Sequence, residues 1–160
     1  MNILLFTDGS VNNDQKIGYG AKILVIDQTL ELNELKKTVK KKRFENTSSS
    51  RLELQTLLWA LEELKGSKEN IIIHTDSSSI IGLERRRLHL EKSDYKSKKG
   101  KLLSNADLYQ QFYAITDQLN CQFIKVAGHL PASQRTTIDE IFSLVDQASR
   151  HALRHESSQN

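Results

Sequence analysis

Short apolar runs open the chain and longer apolar stripes follow them, an order that predicts strands first and helices later. Ile3-Leu4-Leu5-Phe6, closed by Thr7-Asp8-Gly9-Ser10, predicts a buried strand over 2–7. After a polar loop from Asn12 to Lys16, the run from Gly18 to Ile26 predicts a second strand. Leu30 to Phe44 alternates loosely between apolar and polar, with many lysines, and predicts a third strand with one solvated face. Asn46-Thr47-Ser48-Ser49-Ser50 is a turn and helix-cap signal. Leu54, Leu57, Leu58, Leu61 and Leu64 follow at helical spacing, so 50–65 is an amphipathic helix that Gly66 can close. Residues 70–75 predict another buried strand, with a helix from Ser77. The apolar positions Ala106, Leu108, Tyr109, Phe112, Ile115 and Leu119 predict a helix from about Asn105. Cys121 to Val126 is a last strand. Gly128-His129-Leu130-Pro131 opens a loop, and Ile138, Ile141, Phe142, Val145 and Ala148 mark a final helix that frays into a polar tail, Glu156 to Asn160. This order predicts one α/β domain over 1–155: a mixed sheet whose first strands form an antiparallel meander and whose later strands are parallel, because helices connect them.

Composition narrows the class. The 160 residues suffice for one core, and 38% hydrophobic with 27% charged content suits a soluble globular chain. No apolar stretch approaches the roughly 20 residues of a membrane span, and no secretory signal opens the chain. The one cysteine, Cys121, forms no internal disulfide, which fits a reducing cytoplasm; its apolar neighbours make it a packing residue. Net charge of +3 permits a polyanionic partner without requiring one. The distribution says more. Arg85, Arg86, Arg87, Lys92, Lys96, Lys98, Lys99 and Lys101 crowd one segment, with no acid after Asp94. Such a run is either a solvated face or a grip on phosphates.

Against this basic background, four acids stand out. Asp8 and Asp76 each end an apolar run in the same setting: Thr, Asp, then a small residue. A carboxylate at the end of a core strand needs compensation, although Asp8-Gly9 also reads as a plain turn. Glu53 lies in the first turns of the leucine-rich helix, where an acid is mildly favourable in its own right. Asp146 borders the apolar face of the last helix and needs a partner there. Acids brought together repel and raise one another's pKa values. A hard divalent cation with oxygen ligands resolves this, and a pair of ions about 3.5–4 Å apart suits phosphate-ester chemistry.

Thr7-Asp8-Gly9-Ser10, Gly18-Tyr19-Gly20-Ala21, Arg51-Leu52-Glu53-Leu54, Thr75-Asp76-Ser77, Asn105-Ala106-Asp107-Leu108-Tyr109, Lys125-Val126-Ala127-Gly128-His129 and Val145-Asp146-Gln147-Ala148 stand in an order that resembles the successive motifs of ribonuclease H, type 1, across nearly the whole chain. The resemblance implies a ribonuclease H-like α/β fold, a five-stranded mixed sheet with three antiparallel strands and two parallel ones, flanked by helices. It implies hydrolysis of the RNA strand of an RNA/DNA hybrid, leaving 5′-phosphate and 3′-hydroxyl ends. It implies two Mg²⁺ ions, with Mn²⁺ as a possible substitute, held by Asp8, Glu53, Asp76 and Asp146, and a proton-moving or product-releasing role for His129. Substrate contacts are expected from Gly9, Ser10, Asn12 and Asn13 after the first strand, from Ser49, Ser50 and Arg51 at the leucine helix, from Ser78, and from Arg85, Arg86, Lys98 and Lys99 in the basic segment, which resembles the family's basic protrusion. The chain is expected to work as a monomer away from membranes.

The sequence also departs from the family pattern. Ser49-Ser50 stand where an Asn pair is common and Ser78 where a Gln often follows Asp-Ser, so the side chains offered to the minor groove and its 2′-hydroxyls are shorter, and hybrid recognition is expected to be weaker or altered. The basic segment has no tryptophan, the sole Trp59 lying in the leucine helix. Phe142 replaces a frequent Asn, and the stretch carrying Gln134, Arg135, Thr136 and Thr137 is long. Two alternatives follow: a same-fold nuclease with another nucleic-acid substrate, or a binding module that has lost catalysis.

Overall fold

Successive side chains on a strand point to opposite faces, and the first strand buries both. Leu5 joins one apolar cluster with Leu57, Leu61, Ile71 and Ile73, while its neighbour Phe6 joins a second with Ala21, Ile23, Phe142 and Val145. A strand buried on both faces belongs in the middle of a sheet. The computed structural model, which describes residues 2–26, 31–127 and 130–156, places it there. β1 (Asn2–Asn12), β2 (Ile17–Val25), β3 (Lys40–Glu45), β4 (Asn70–Thr75) and β5 (Asn120–Lys125) form a five-stranded sheet in the order β3-β2-β1-β4-β5. β1, β2 and β3 form the antiparallel meander, and β4 and β5 extend it in parallel.

Helices cover both faces. α1 (Leu32–Lys36) precedes β3, and α2 (Ser49–Glu62) follows it. α3 (Ser78–Ile81) and α4 (Leu83–Lys92) meet at Gly82, and α5 (Ala106–Asp117) leads into β5. α2 and α5 enclose the first cluster, and α6 (Thr137–Glu156) lies over the second. Ser48 caps α2 by accepting from Arg51 N–H, as the serine-rich signal predicts. Cys121 is half-buried, and burial pushes its thiol up to about 11, in keeping with packing. Phe142 is a core residue on the buried face of α6.

Three local readings give way to tertiary contacts. The Asp8-Gly9 pair is no turn: β1 runs on to Asn12, with Asp8 opposite Ala21 and Gly9 opposite Gly20. The stretch predicted as one strand from Leu30 to Phe44 holds α1 and only then β3, because a helical turn drives Leu35 into the cluster under α6. Leu30 lies outside the described residues. Glu156 is the last residue of α6 and not the first of a tail. Its carboxylate accepts from the Tyr19 hydroxyl at 3.2 Å and from Arg43 Nε, which ties the final turn to β2 and β3.

Candidate active site

The site begins with three glycines on the sheet. A Cβ on Gly9 or Gly18 would stand 2.9 or 2.7 Å from Leu52 Cδ2, and one on Gly20 would stand 2.2 Å from Thr56 Oγ1. Bare backbone at these positions lets α2 lie directly on β1 and β2. Leu52 and Thr56 are the residues that touch, and Glu53 sits between them, so the same approach carries Glu53 toward Asp8, beside the end of β4.

Asp8 is one pleat beyond Phe6 and shares its face, toward α6. Its carboxyl is pushed up from 3.8 to about 8, first by burial, then by the charge of Asp76 and by a hydrogen bond shared with Asp146. Asp76 follows β4 directly. Burial is also the main cause that raises Glu53; the Asp76 charge adds to it, and a hydrogen bond from Ser77 opposes it. Asp146, on α6, meets Asp8 on one side and Arg150 on the other, with Arg150 Nε 3.0 Å away. Asp8, Glu53 and Asp76 line one small cleft with Thr7 and Thr75. Asp76 and Asp146 line its neighbour, a hollow of about 80 Å³ that Phe142, Arg135 and Asp139 also border. Asp76 joins the two. Among the described residues, no three His, Cys, Asp or Glu side chains are drawn into the arrangement of a metal-ion site; the acids form an open fringe, not a closed cage. The chemistry of the set still fits a hard divalent cation. Its donors are carboxylates, and Asp8 is charged at neutral pH only if something offsets its neighbours.

Supporting residues complete the frame. Ser77 Oγ donates to Glu53 Oε2 at 2.7 Å and accepts from Ile80 N–H, so one hydroxyl both caps α3 and fixes the acid from α2. Ser149 is fully buried on α6. Its hydroxyl meets Ser10 Oγ at 3.0 Å and donates to the Asp146 carbonyl, linking β1 to the turn that carries Asp146. In the sequence alone, Ser77, Ser149 and Arg150 do not stand out as site residues. Ser149 does extend the stripe of Phe142 and Val145 at helical spacing, where a polar residue signals a needed partner. His74 is a packing residue: buried and stacked on Phe6 at 4.6 Å, its imidazole is lowered by burial.

The expected substrate residues divide. Arg51 forms a bidentate pair with Asp107, at 3.1 and 2.8 Å, and Ser50 accepts from Asn105, so both clip α2 to α5. Ser78 accepts from Lys125 Nζ at 2.6 Å, which places a lysine beside Asp76. The Asn12 side chain accepts from the N–H groups of Asp14 and Gln15 and builds the β1–β2 turn. Gly9 and Ser10 are held inside β1, and Asn13 and Ser49 are exposed. Arg85, Arg86, Lys98 and Lys99 are exposed, whereas Arg87 is bound to Asp117 and Glu91. His129 and Gly128 lie outside the described residues.

A family model described as RNase H matches residues 1–149. A Ribonuclease H of Caldicellulosiruptor saccharolyticus is 26% identical over 141 residues, covering 87% of this chain and 92% of that protein. Among solved structures, the PFV RNase H domain matches with a TM-score of 0.72 at 12% identity, over 93% of this chain and 92% of that one. The foamy viral protease-reverse transcriptase solved with an RNA/DNA hybrid matches with a TM-score of 0.62 at 10% identity, over 92% of this chain and 20% of that one. At these identities the structural likenesses show the fold.

Proposed function

The chain belongs to the RNase H family, and we propose that it is a divalent-metal-dependent endonuclease cutting the RNA strand of RNA/DNA hybrids to leave 5′-phosphate and 3′-hydroxyl ends. The observation that carries this reading is Asp8: a carboxyl buried within β1, where the neighbouring β4 ends, against Asp76 and Asp146, an arrangement that destabilises the fold unless a cation is bound. Asp8, Glu53, Asp76 and Asp146 would hold Mg²⁺ or Mn²⁺. When bound, the metal supplies an activated water and stabilisation of the leaving 3′ oxygen.

The rest of the work falls to the chain. Ser77 keeps Glu53 aimed at Asp76, and Ser149 holds the α6 turn of Asp146 against β1. Arg150 and Lys125 place positive charge at the rim, where a phosphate backbone must approach acids that repel it. Arg85, Arg86, Lys98 and Lys99 grip phosphates farther along. His129, eight positions before the first residue of α6 in the sequence, moves a proton at the scissile phosphate or helps release product. Because Ser50 and Arg51 are engaged with α5, we assign minor-groove reading mainly to Ser49 and Asn13. The same reading makes the protein a cytoplasmic monomer, with the Cys121 thiol reduced.

The test is cleavage of a labelled RNA/DNA hybrid beside double-stranded RNA and double-stranded DNA, with Mg²⁺, with Mn²⁺ and with chelator, using Asp8→Asn as control. Metal-dependent cutting of the hybrid's RNA strand supports the proposal. Binding without cutting makes the chain a binding module, and cutting of another duplex reassigns the substrate.

A further inference from the structure

On a different flank of α6 from Asp146, a hollow of about 550 Å³ lies between α6, α1 and β3. Its size falls within the roughly 300–1,000 Å³ of small-molecule sites. Every ionisable group among the described residues lining it is basic: Lys36 from α1, Lys41 from β3, and His151 and Arg154 from α6. Its floor is apolar, formed by Val39 and Leu144 among others. The local field is positive enough to register on His151. Its imidazole is lowered first by His155, whose ring lies tilted against it at 4.0 Å, then by burial, and further by Lys41 and Arg154. Lys41 alone of the β3 lysines faces this hollow; its neighbour Lys40 points to the opposite face, beside Lys22 and Glu63. An apolar floor with an imidazole beside it and cations on both walls suits a base laid flat with its phosphates at the rim.

We propose that this hollow binds a single nucleic-acid strand, with phosphates on Lys36, Lys41 and Arg154 and a base on the floor beside His151. The inference rests on the nucleic-acid reading above and adds a second contact to it. A hybrid bound at the acids can trail a single-stranded extension, and the hollow gives that extension a seat. A 550 Å³ hollow has room for a nucleotide or two and not for the width of a duplex. Each single-strand phosphate neutralised contributes about 0.7 to the log–log salt slope.

The probe is fluorescein-labelled hexathymidylate, titrated into the full chain in chelator and followed by fluorescence anisotropy and by amide chemical shifts. The expected result is shifts at Val39, Lys41, Gln147 and His151. The double variant K41E/R154E should bind about 10-fold more weakly, with the salt slope reduced by roughly 1.4. Shifts confined to α4 and the acids, or equal affinity of variant and parent, would overturn the proposal. The shift map needs no variant, so a misfolded double variant does not protect the idea. Cleavage of a blunt hybrid, run in parallel, separates the two readings. Oligonucleotide binding in the hollow without hybrid cleavage keeps the hollow and removes the nuclease, and hybrid cleavage with the hollow unmoved removes only the hollow.

Discussion

Midway along α6, the Asp146 carboxyl meets that of Asp8, whose pKa is driven up to about 8 by burial first, then by the Asp76 charge and the hydrogen bond shared with Asp146. At the end of the same helix, the Glu156 carboxylate takes Arg43 and the Tyr19 hydroxyl, and its pKa is lowered, chiefly by Arg43. Both acids bring α6 to the meander. One is set against like charge and the other against opposite charge. The fold satisfies Glu156 from within, so Glu156 holds the helix down. Among the described residues, no cation figures among the groups that shift Asp8, and Arg150 pairs with Asp146. That deficit is what a binding site for cations consists of.

The comparison breaks most directly at Asp8. Asp8→Asn should lower hybrid cleavage by about 10³-fold or more, because it removes a ligand from the proposed metal-holding set. The same change should stabilise the metal-free protein. The folded-state pKa of Asp8, about 8, lies above the ordinary 3.8, so the folded chain holds this proton more tightly than the unfolded one. Stability therefore falls as pH rises from about 4 to about 8 and levels off above. At pH 8 in chelator, Asp8→Asn should unfold at higher denaturant, with a gain on the order of 1–3 kcal/mol. Mg²⁺ should stabilise the parent and leave the variant nearly unmoved. A variant less stable than its parent at pH 8 would mean that the acids are not held in conflict.

A smaller effect is expected at His129. His129→Ala should reduce turnover by about 10- to 100-fold, below the roughly 10²–10⁴ of full acid–base catalysis, with the Mg²⁺-induced stabilisation unchanged. A parallel loss of that stabilisation would make His129 part of the metal set.

The cations permit the same contrast between engaged and available charge. Arg87 is bound to Asp117 and Glu91 and lies over the Tyr113 ring, while Arg85, Lys98 and Lys99 are exposed and Arg86 lies over Tyr109. Neutralising Arg85, Arg86, Lys98 and Lys99 should raise KM by about 10-fold and flatten its salt dependence by about 0.9 per lost phosphate contact. Neutralising Arg87 should lower thermal stability and leave the salt slope as it was. Equal slopes for both variants would assign substrate grip elsewhere.

Much of this was legible in the sequence, for reasons that particular residues make plain. The leucines of α2 and the apolar runs of β1 and β4 repeat at the period of the element they form, so local pattern and tertiary role agree. Gly9 shows the opposite case. Beside Asp8 it reads as a turn, yet what requires it is Leu52, a side chain on another element. Leu35 sits in a stretch whose alternation suits a strand as well as a helical turn, and only the space under α6 decides. The acids are visible because each lies in a recognisable motif. Ser77, Ser149 and Arg150 are ordinary residues in sequence, and their value comes from contacts that folding creates; Ser149 meets Ser10 across 139 positions. Glu156 looks like tail in the sequence because its partners, Tyr19 and Arg43, lie more than a hundred residues earlier.

Gly20 tests whether the glycine seat sets the site. A methyl there would stand 2.2 Å from Thr56 Oγ1 and 2.9 Å from its Cβ, so Gly20→Ala must lift α2 or tilt it. Overpacking of this kind costs about 1–3 kcal/mol, and moving Glu53 by a fraction of an ångström should lower kcat more than it raises KM. Adding Thr56→Ala removes the two nearest atoms and should recover part of both losses. Recovery of stability without recovery of kcat would show that the seat is structural only and that Glu53 finds its place by way of Ser77.

The smallest effect lies at the other end of α6. Glu156 has a folded-state pKa below its ordinary 4.5, so its contribution to stability is present above that value and is lost as pH falls through the folded-state one. Glu156→Gln should lower stability slightly at neutral pH, match the parent in strong acid, and leave hybrid cleavage and Mg²⁺ dependence intact. Asp8→Asn changes stability in the opposite sense, and its effect grows as pH rises past 4 toward 8. Measured together in chelator, the two variants should therefore diverge from the parent in opposite directions as pH rises from acid. If Glu156→Gln also weakened metal dependence, the end of α6 would be coupled through the helix to the turn of Asp146, and the separation between the acid that holds the fold and the acids that strain it would fail.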